Sequence, residues 1–262
     1  MHGFVTRDGT SPGDLRAMGR AEVTGYGAEI VQGNAREVAR AAEGFALRLL
    51  DGRVLRARSV LLASGLTDEL PEIAGLAQRW GRDVVTCPYC HGWEVREQRL
   101  AVVGTGPMSV HQALMLRQWS DDVTLIRHGT GEIDAGDTRR LDARGIRVVA
   151  GSIDHVVVAG DRLTGMALAD GSVVPCSAAF VATRMVANHE VVASLGVDVE
   201  RDALGDRVVT DDAGRTSVTG VWAAGNATDR FASVIVAAAG GAKVAMALNA
   251  ELVEEDIAAR LG

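Results

Sequence analysis

The stretch Leu100 to Ser109 constrains the fold of this chain more than any other. Its four apolar residues describe a buried strand. Gly104 then permits a tight turn, and Gly106 lets backbone come close to a pyrophosphate. Ser109 stands as a small residue where helix meets strand. A helix from Met108 to Trp119 and a strand from Asp122 to Ile126 complete a βαβ unit, whose right-handed crossover implies a parallel sheet. The turn reads G-x-G-x-x-S, and no acidic residue closes the second strand. Arg127 and His128 stand there instead, a pair suited to the 2′-phosphate of NADP(H). A dinucleotide-type turn that holds no ligand is the competing reading.

The rest of the chain builds on this unit. At 262 residues it is long enough for two lobes or one large α/β domain. A polar N-terminal part carries a helix from Ser11 to Tyr26 and a strand at Glu29 to Gln32. Short antiparallel strands follow at Ala35–Arg40, Phe45–Leu50 and Val54–Arg58, turning at Gly44 and Asp51-Gly52, then a buried strand at Ser59–Ala63. Residues 153–181 repeat this plan of a meander and a buried strand, so the chain reads as two related units. A second crossover begins near Asn188 and returns to a strand at Gly220–Gly225. A helix from Val234 to Arg260 ends the chain. The run Ser233 to Leu248 is its most apolar part, but Lys243 interrupts it, and it reads as a buried helix with no membrane span.

Composition excludes some roles. A formal charge of -7 with no basic cluster argues against a nucleic-acid surface. No apolar leader is visible, so no signal peptide is expected. Three cysteines in a chain of this length do not form a disulfide framework. In a reducing, cytoplasmic setting a close pair points to redox or metal chemistry.

That pair is Cys87-Pro88-Tyr89-Cys90, followed by His91. In a Cys-x-x-Cys turn at a helix start, backbone N–H groups stabilise the first thiolate and the second thiol resolves the mixed disulfide. Pro88 stiffens the turn. His91 can take or give the proton that exchange needs near neutral pH. A zinc site needs further ligands, and Cys176 stands alone. An inert buried pair is the remaining alternative. A third element, Thr216 to Asp229, has a buried strand ending in Ala-Gly ahead of a long helix, and can present N–H groups to a phosphate or ribityl chain.

Together these elements resemble the thioredoxin reductase family of flavin-dependent pyridine nucleotide-disulfide oxidoreductases. Cys87 to Cys90 matches the family's redox pair. Leu61-Leu62-Ala63-Ser64-Gly65 resembles its apolar strand ending in A-T-G, and Thr216 to Asp229 its T-S-x-x-G-x-F-A-A-G-D segment. The resemblance implies an α/β fold with two Rossmann-like FAD/NAD(P)-binding lobes. Residues 1–71 and 185–262 would form an FAD lobe truncated at its N-terminus, and residues 72–184 the pyridine nucleotide lobe carrying the cysteines. It also implies that Cys90 faces the flavin and Cys87 exchanges with substrate. Gly225, Asn226, Ala239 and Gly240 would lie along FAD, and Gly104, Gly106, Ser109, Arg127 and His128 along NADP(H).

The departures have consequences of their own. The family's opening G-x-G-x-x-G is not found here, and the Asp that follows its second cysteine is His91. A His after the pair and a reduced NADPH site are similar to the branch that oxidises small dithiols with oxygen. The partner is therefore expected to be a thioredoxin-like protein or a small dithiol, and a homodimer is implied. The alternative is a non-catalytic dinucleotide-binding remnant or interaction module.

Overall fold

The computed structural model describes residues 1–261. The chain divides into two compact units, one of residues 1–2 and 69–184, the other of residues 3–68 and 185–262.

The first unit is built on a five-stranded parallel sheet in the order Val84–Val85, Ala178–Val181, Leu100–Val103, Val123–Ile126, Arg147–Val149. Its three central strands are buried at every position, which is why they read as unbroken apolar runs and not as alternating ones. Side chains still alternate between the faces. Leu100, Val102 and Phe180 pack with Val110, Ala113 and Leu116 of the helix Met108–Leu116 and with Leu141 of the helix Ala135–Ala143. Ala101, Val103 and Val181 face the antiparallel meander Ile153–Ala159, Arg162–Leu168 and Val173–Pro175. The βαβ unit thus forms as expected, its two strands in parallel with Val103 beside Ile126. Its helix stops at Leu116, three residues before Trp119, where the winding tightens: the N–H groups of Gln118 and Trp119 turn back onto the carbonyls of Met115 and Leu116, three residues earlier.

The second unit repeats the meander, but the strand expected to be buried at Ser59–Ala63 is only partly buried, Leu62 alone being fully so, and it pairs in a two-stranded sheet. Strands Ala35–Arg40, Phe45–Leu49 and Val54–Ala57 form an antiparallel meander, and Val60–Leu62 pairs in parallel with Val221–Ala223. Val38, Phe45, Leu62, Val208 and Val221 share its core. The helix Pro12–Gly25 starts as expected, with Ser11 Oγ accepting the Asp14 N–H at 3.1 Å.

Three expectations need correction here. Glu29–Gln32 is not a strand: a strand needs neighbours for its N–H and C=O groups, and the Gln32 carbonyl is taken by the Arg53 guanidinium. Residues 199–208 form a hairpin, Val199–Asp202 with Gly205–Val208, where only a crossover was anticipated. The last helix, Val234–Leu261, is not buried. Among its described residues Val244 alone is fully buried, packed with Trp222 and Ala224. Glu251 on Arg215, and Glu255 and Asp256 on Arg58, fasten the same side. The opposite side carries Ala242, Met246, Ala250, Val253, Ile257 and Leu261, all exposed and spaced three or four residues apart. With a mean hydropathy of 1.3 over its most apolar stretch, this helix is long and apolar enough to cross a membrane.

Candidate active site

Cys87 and Cys90 are joined by a disulfide, with their Cα atoms 5.3 Å apart. They begin and line one short helical turn, Pro88–His91, which follows the strand Val84–Val85 after two residues, Thr86 and Cys87. Cys87 is its N-cap: the Cys90 N–H donates to Cys87 Sγ at 3.2 Å. That donor stabilises negative charge on the Cys87 sulfur once the bond opens. Pro88 occupies the first helical position, where no N–H is needed. The turn closes against Gly92, whose missing side chain leaves room for the Pro88 carbonyl and the Trp119 indole. Both cysteines are half-buried, and the intervening Tyr89 is exposed.

Two residues that the sequence reading did not single out hold this turn. Gln112, on the helix Met108–Leu116, is 6% exposed and donates from Nε2 to the Thr86 carbonyl at 2.6 Å. It ties the cysteine turn to the βαβ unit. The buried Gln112 Oε1 has no protein partner. Glu94 accepts from His91, its Oε2 lying 3.2 Å from His91 Nδ1. A polar residue three positions after His91 was the only available signal for it. Cys176, by contrast, is buried in the first unit's core, and burial pushes its thiol up to about 12. It is a packing residue.

The glycine turn is built as its residue types require. A side chain at Gly104 would meet the Thr130 hydroxyl and the carbonyls of Ile126 and Arg127, whereas one at Gly106 would meet only open space. Backbone at Gly106 can therefore be approached by a ligand. Ser109 does more than fit: its buried Oγ accepts the N–H groups of Thr105 at 3.0 Å and Gly106 at 3.4 Å. A pyrophosphate at this turn would have to compete with that hydroxyl for two donors. His128 Nδ1 accepts the Ile153 N–H at 3.0 Å, and burial lowers its pKa below the ordinary 6.5. Its ring is held neutral. Arg127 alone carries charge there, with Nε donating to the Gly131 carbonyl at 2.8 Å.

In the second unit Gly225 and Gly240 line one groove together with Asp211, Thr228, Asp229 and Lys243. Gly225 adopts φ +72°, and a side chain at Gly240 would fill open space. Gly225 stands just beyond the parallel strand Val221–Ala223 and Gly240 on the helix Val234–Leu261, so backbone along this groove is open to a ligand. Asn226 is used locally: its Nδ2 donates to the carbonyls of Asp229 and Ala232, each at 3.0 Å, leaving Oδ1 as its free polar atom. Ala239 does not line this groove and lies exposed on the helix Val234–Leu261.

Two Rossmann-like α/β units, one carrying a cysteine pair ahead of a glycine turn, define a class of dinucleotide-dependent disulfide oxidoreductases. The chain belongs to the pyridine nucleotide-disulphide oxidoreductase family, whose model matches residues 11–241, and within it is thioredoxin reductase-like. It is 30% identical to the bifunctional thioredoxin reductase/thioredoxin of Mycobacterium leprae over 254 residues, 94% of this chain and 54% of that protein. The chain thus spans about half the length of that relative. The crystal structure of HlmI matches with a TM-score of 0.91 at 48% identity, over 100% of this chain and 82% of that one. An oxidoreductase from Agrobacterium tumefaciens matches with a TM-score of 0.89 at 34% identity, over 96% and 84% of the two chains. Members of this family normally bind FAD and NADPH.

Proposed function

We propose that this chain is a flavin-dependent thiol–disulfide oxidoreductase. It would pass electrons between a dithiol or disulfide substrate, the Cys87–Cys90 pair, FAD and a terminal partner, NAD(P)H or oxygen. The observation that carries this reading is the Cys87–Cys90 disulfide on a helical turn with His91 one turn beyond Cys87. Cys87, with an N–H aimed at its sulfur, suits the exchanging position, and Cys90 the inner one. His91 would move the proton. Gly225, Gly240 and the backbone around them would hold the flavin, which supplies two-electron transfer when bound.

Ser109 on the loop donors and the neutral His128 weigh against tight NADPH binding, and so favour oxygen as terminal partner. The printed name of the mycobacterial relative supports a thioredoxin-like substrate, and His91 directly after the pair keeps a small dithiol equally in view. A cytoplasmic setting and a homodimer belong to the same proposal.

The test uses the purified chain with added FAD and a dithiol. Flavin bleaching should accompany the appearance of alkylatable thiols at Cys87 and Cys90, and Cys87→Ser should abolish both. Retained dithiol turnover in Cys87→Ser would remove the pair from the reaction.

A further inference from the structure

We infer that Glu94 is a positioning residue for His91, completing a thiol–imidazole–carboxylate row along one face of the redox turn; this rests on the redox reading of the cysteine pair. Cys87, His91 and Glu94 are four and three residues apart, the spacings that bring side chains together on a helical face. The row is backed by geometry. The His91 N–H donates to the Cys87 carbonyl at 3.2 Å, and the Glu94 N–H to the His91 carbonyl at 3.1 Å, so helical winding continues past the short helix itself. Gly92, pinned beneath Trp119, keeps that winding tight. The carboxylate of Glu94 can only accept, so in the neutral ring the 3.2 Å contact assigns the proton to His91 Nδ1. Nε2 is then left bare, as a base needs to be.

The charged groups recorded around the imidazole agree. The other Glu94 oxygen lies 3.4 Å from His2 Nε2, so each oxygen of the carboxylate serves one ring. Arg96 is drawn away from Glu94: its guanidinium stacks 3.9 Å over the Trp93 ring and donates to the Trp93 carbonyl. Glu94 therefore keeps its acceptor for His91.

The exchange step closes without any further reactant. The first thiol of a substrate dithiol gives its proton to His91 Nε2, and its sulfur bonds to Cys87 Sγ as the Cys87–Cys90 bond breaks. That proton passes to the Cys90 sulfur. The second substrate thiol then attacks the substrate sulfur of the mixed disulfide, closing the substrate's own disulfide, while the released Cys87 sulfur takes the second proton. Two electrons move from substrate to protein. Glu94 acts only by holding the ring so that Nε2 is bare and in place.

The experiment follows reduction of the Cys87–Cys90 disulfide by dithiothreitol in the full chain, together with the 15N spectrum of the His91 imidazole in slightly alkaline solution. The parent should show protonated Nδ1 and bare Nε2. Glu94→Ala should lose that signature and slow exchange about tenfold, a fraction of what acid–base catalysis contributes in full. Glu94→Gln, which keeps a carbonyl acceptor, should restore the tautomer and most of the rate. Equal rates and an unchanged tautomer in Glu94→Ala, with the parent exchanging normally, would overturn the role of Glu94 and leave the redox reading intact. Failure of the parent disulfide to exchange with dithiothreitol would overturn both.

Discussion

At the residue scale, His128 shows how context reassigns a side chain. Beside Arg127 at the end of a strand, it reads as half of an anion site. In the fold its backbone has φ +31°, and its Nδ1 accepts the Ile153 N–H, a bond that an imidazolium could not make. Burial lowers its pKa below 6.5. A histidine whose folded pKa is depressed resists protonation while the unfolded chain does not. Stability should therefore be full above pH 6.5 and fall as the pH drops from there towards the folded pKa. His128→Asn, which tolerates positive φ and keeps an acceptor, should remove that part of the decline. Denaturant midpoints measured across this pH range check it, and an identical decline in the variant would sink the assignment. Ser109 makes a similar point. Its small size is legible in the sequence, but its hydroxyl's hold on two loop N–H groups is not.

At the scale of elements, the cysteine turn is short and depends on what it leans against. Gly92 is the tightest point, where an added Cβ would overlap the Pro88 carbonyl and the Trp119 ring. Gly92→Ala should destabilise the first unit by about 1–3 kcal/mol through overpacking. It should also slow dithiol exchange by shifting the Cys87–His91 turn. Chemical unfolding and a thiol-trapping assay report the two effects separately, and no change in either would show that the turn can relax. The helix Val234–Leu261 is the opposite case, an element whose packing is one-sided. Val244 and the ion pairs to Arg58 and Arg215 fix one face, while the stripe from Ala242 to Leu261 is exposed. Hydropathy alone reads such a helix as core, since it cannot tell a buried face from an exposed one.

For the molecule as a whole, the second unit is closed partly by charge. Arg230 grips Asp202 with two hydrogen bonds of 2.7 and 2.6 Å, linking the Val199–Asp202 strand to the loop before the last helix. The guanidinium, with help from the Leu204 N–H, lowers the Asp202 pKa from 3.8 to about 2. A carboxylate with a depressed folded pKa contributes stability above its unfolded value and loses it as the pH falls through the folded one. The contribution should thus be present above pH 3.8 and vanish towards about 2. Asp202→Asn should be less stable than the parent at neutral pH and lack this acid limb. Acid titration followed by tryptophan fluorescence tests it, and superimposable curves would contradict it.

The sequence by itself determined the repeated meander, the βαβ unit and the place of the cysteine pair. Each is written in local chemistry: unbroken Val and Ala runs for a sheet covered on both faces, glycines where backbone must turn tightly, and Cys-Pro-x-Cys for an exchanging turn. Only the tertiary structure decided which polar atoms were already in use. Asn226 is turned onto the carbonyls of its own loop, His128 onto Ile153, and Ser109 onto Thr105 and Gly106. It also brought Gln112 to Thr86 across 26 residues of sequence. Glu29–Gln32 has strand composition, yet pairing is a property of neighbours and not of residue types. A residue type states what a side chain can do; whether it is free to do so depends on which groups the fold sets beside it, because each donor and acceptor can serve few partners.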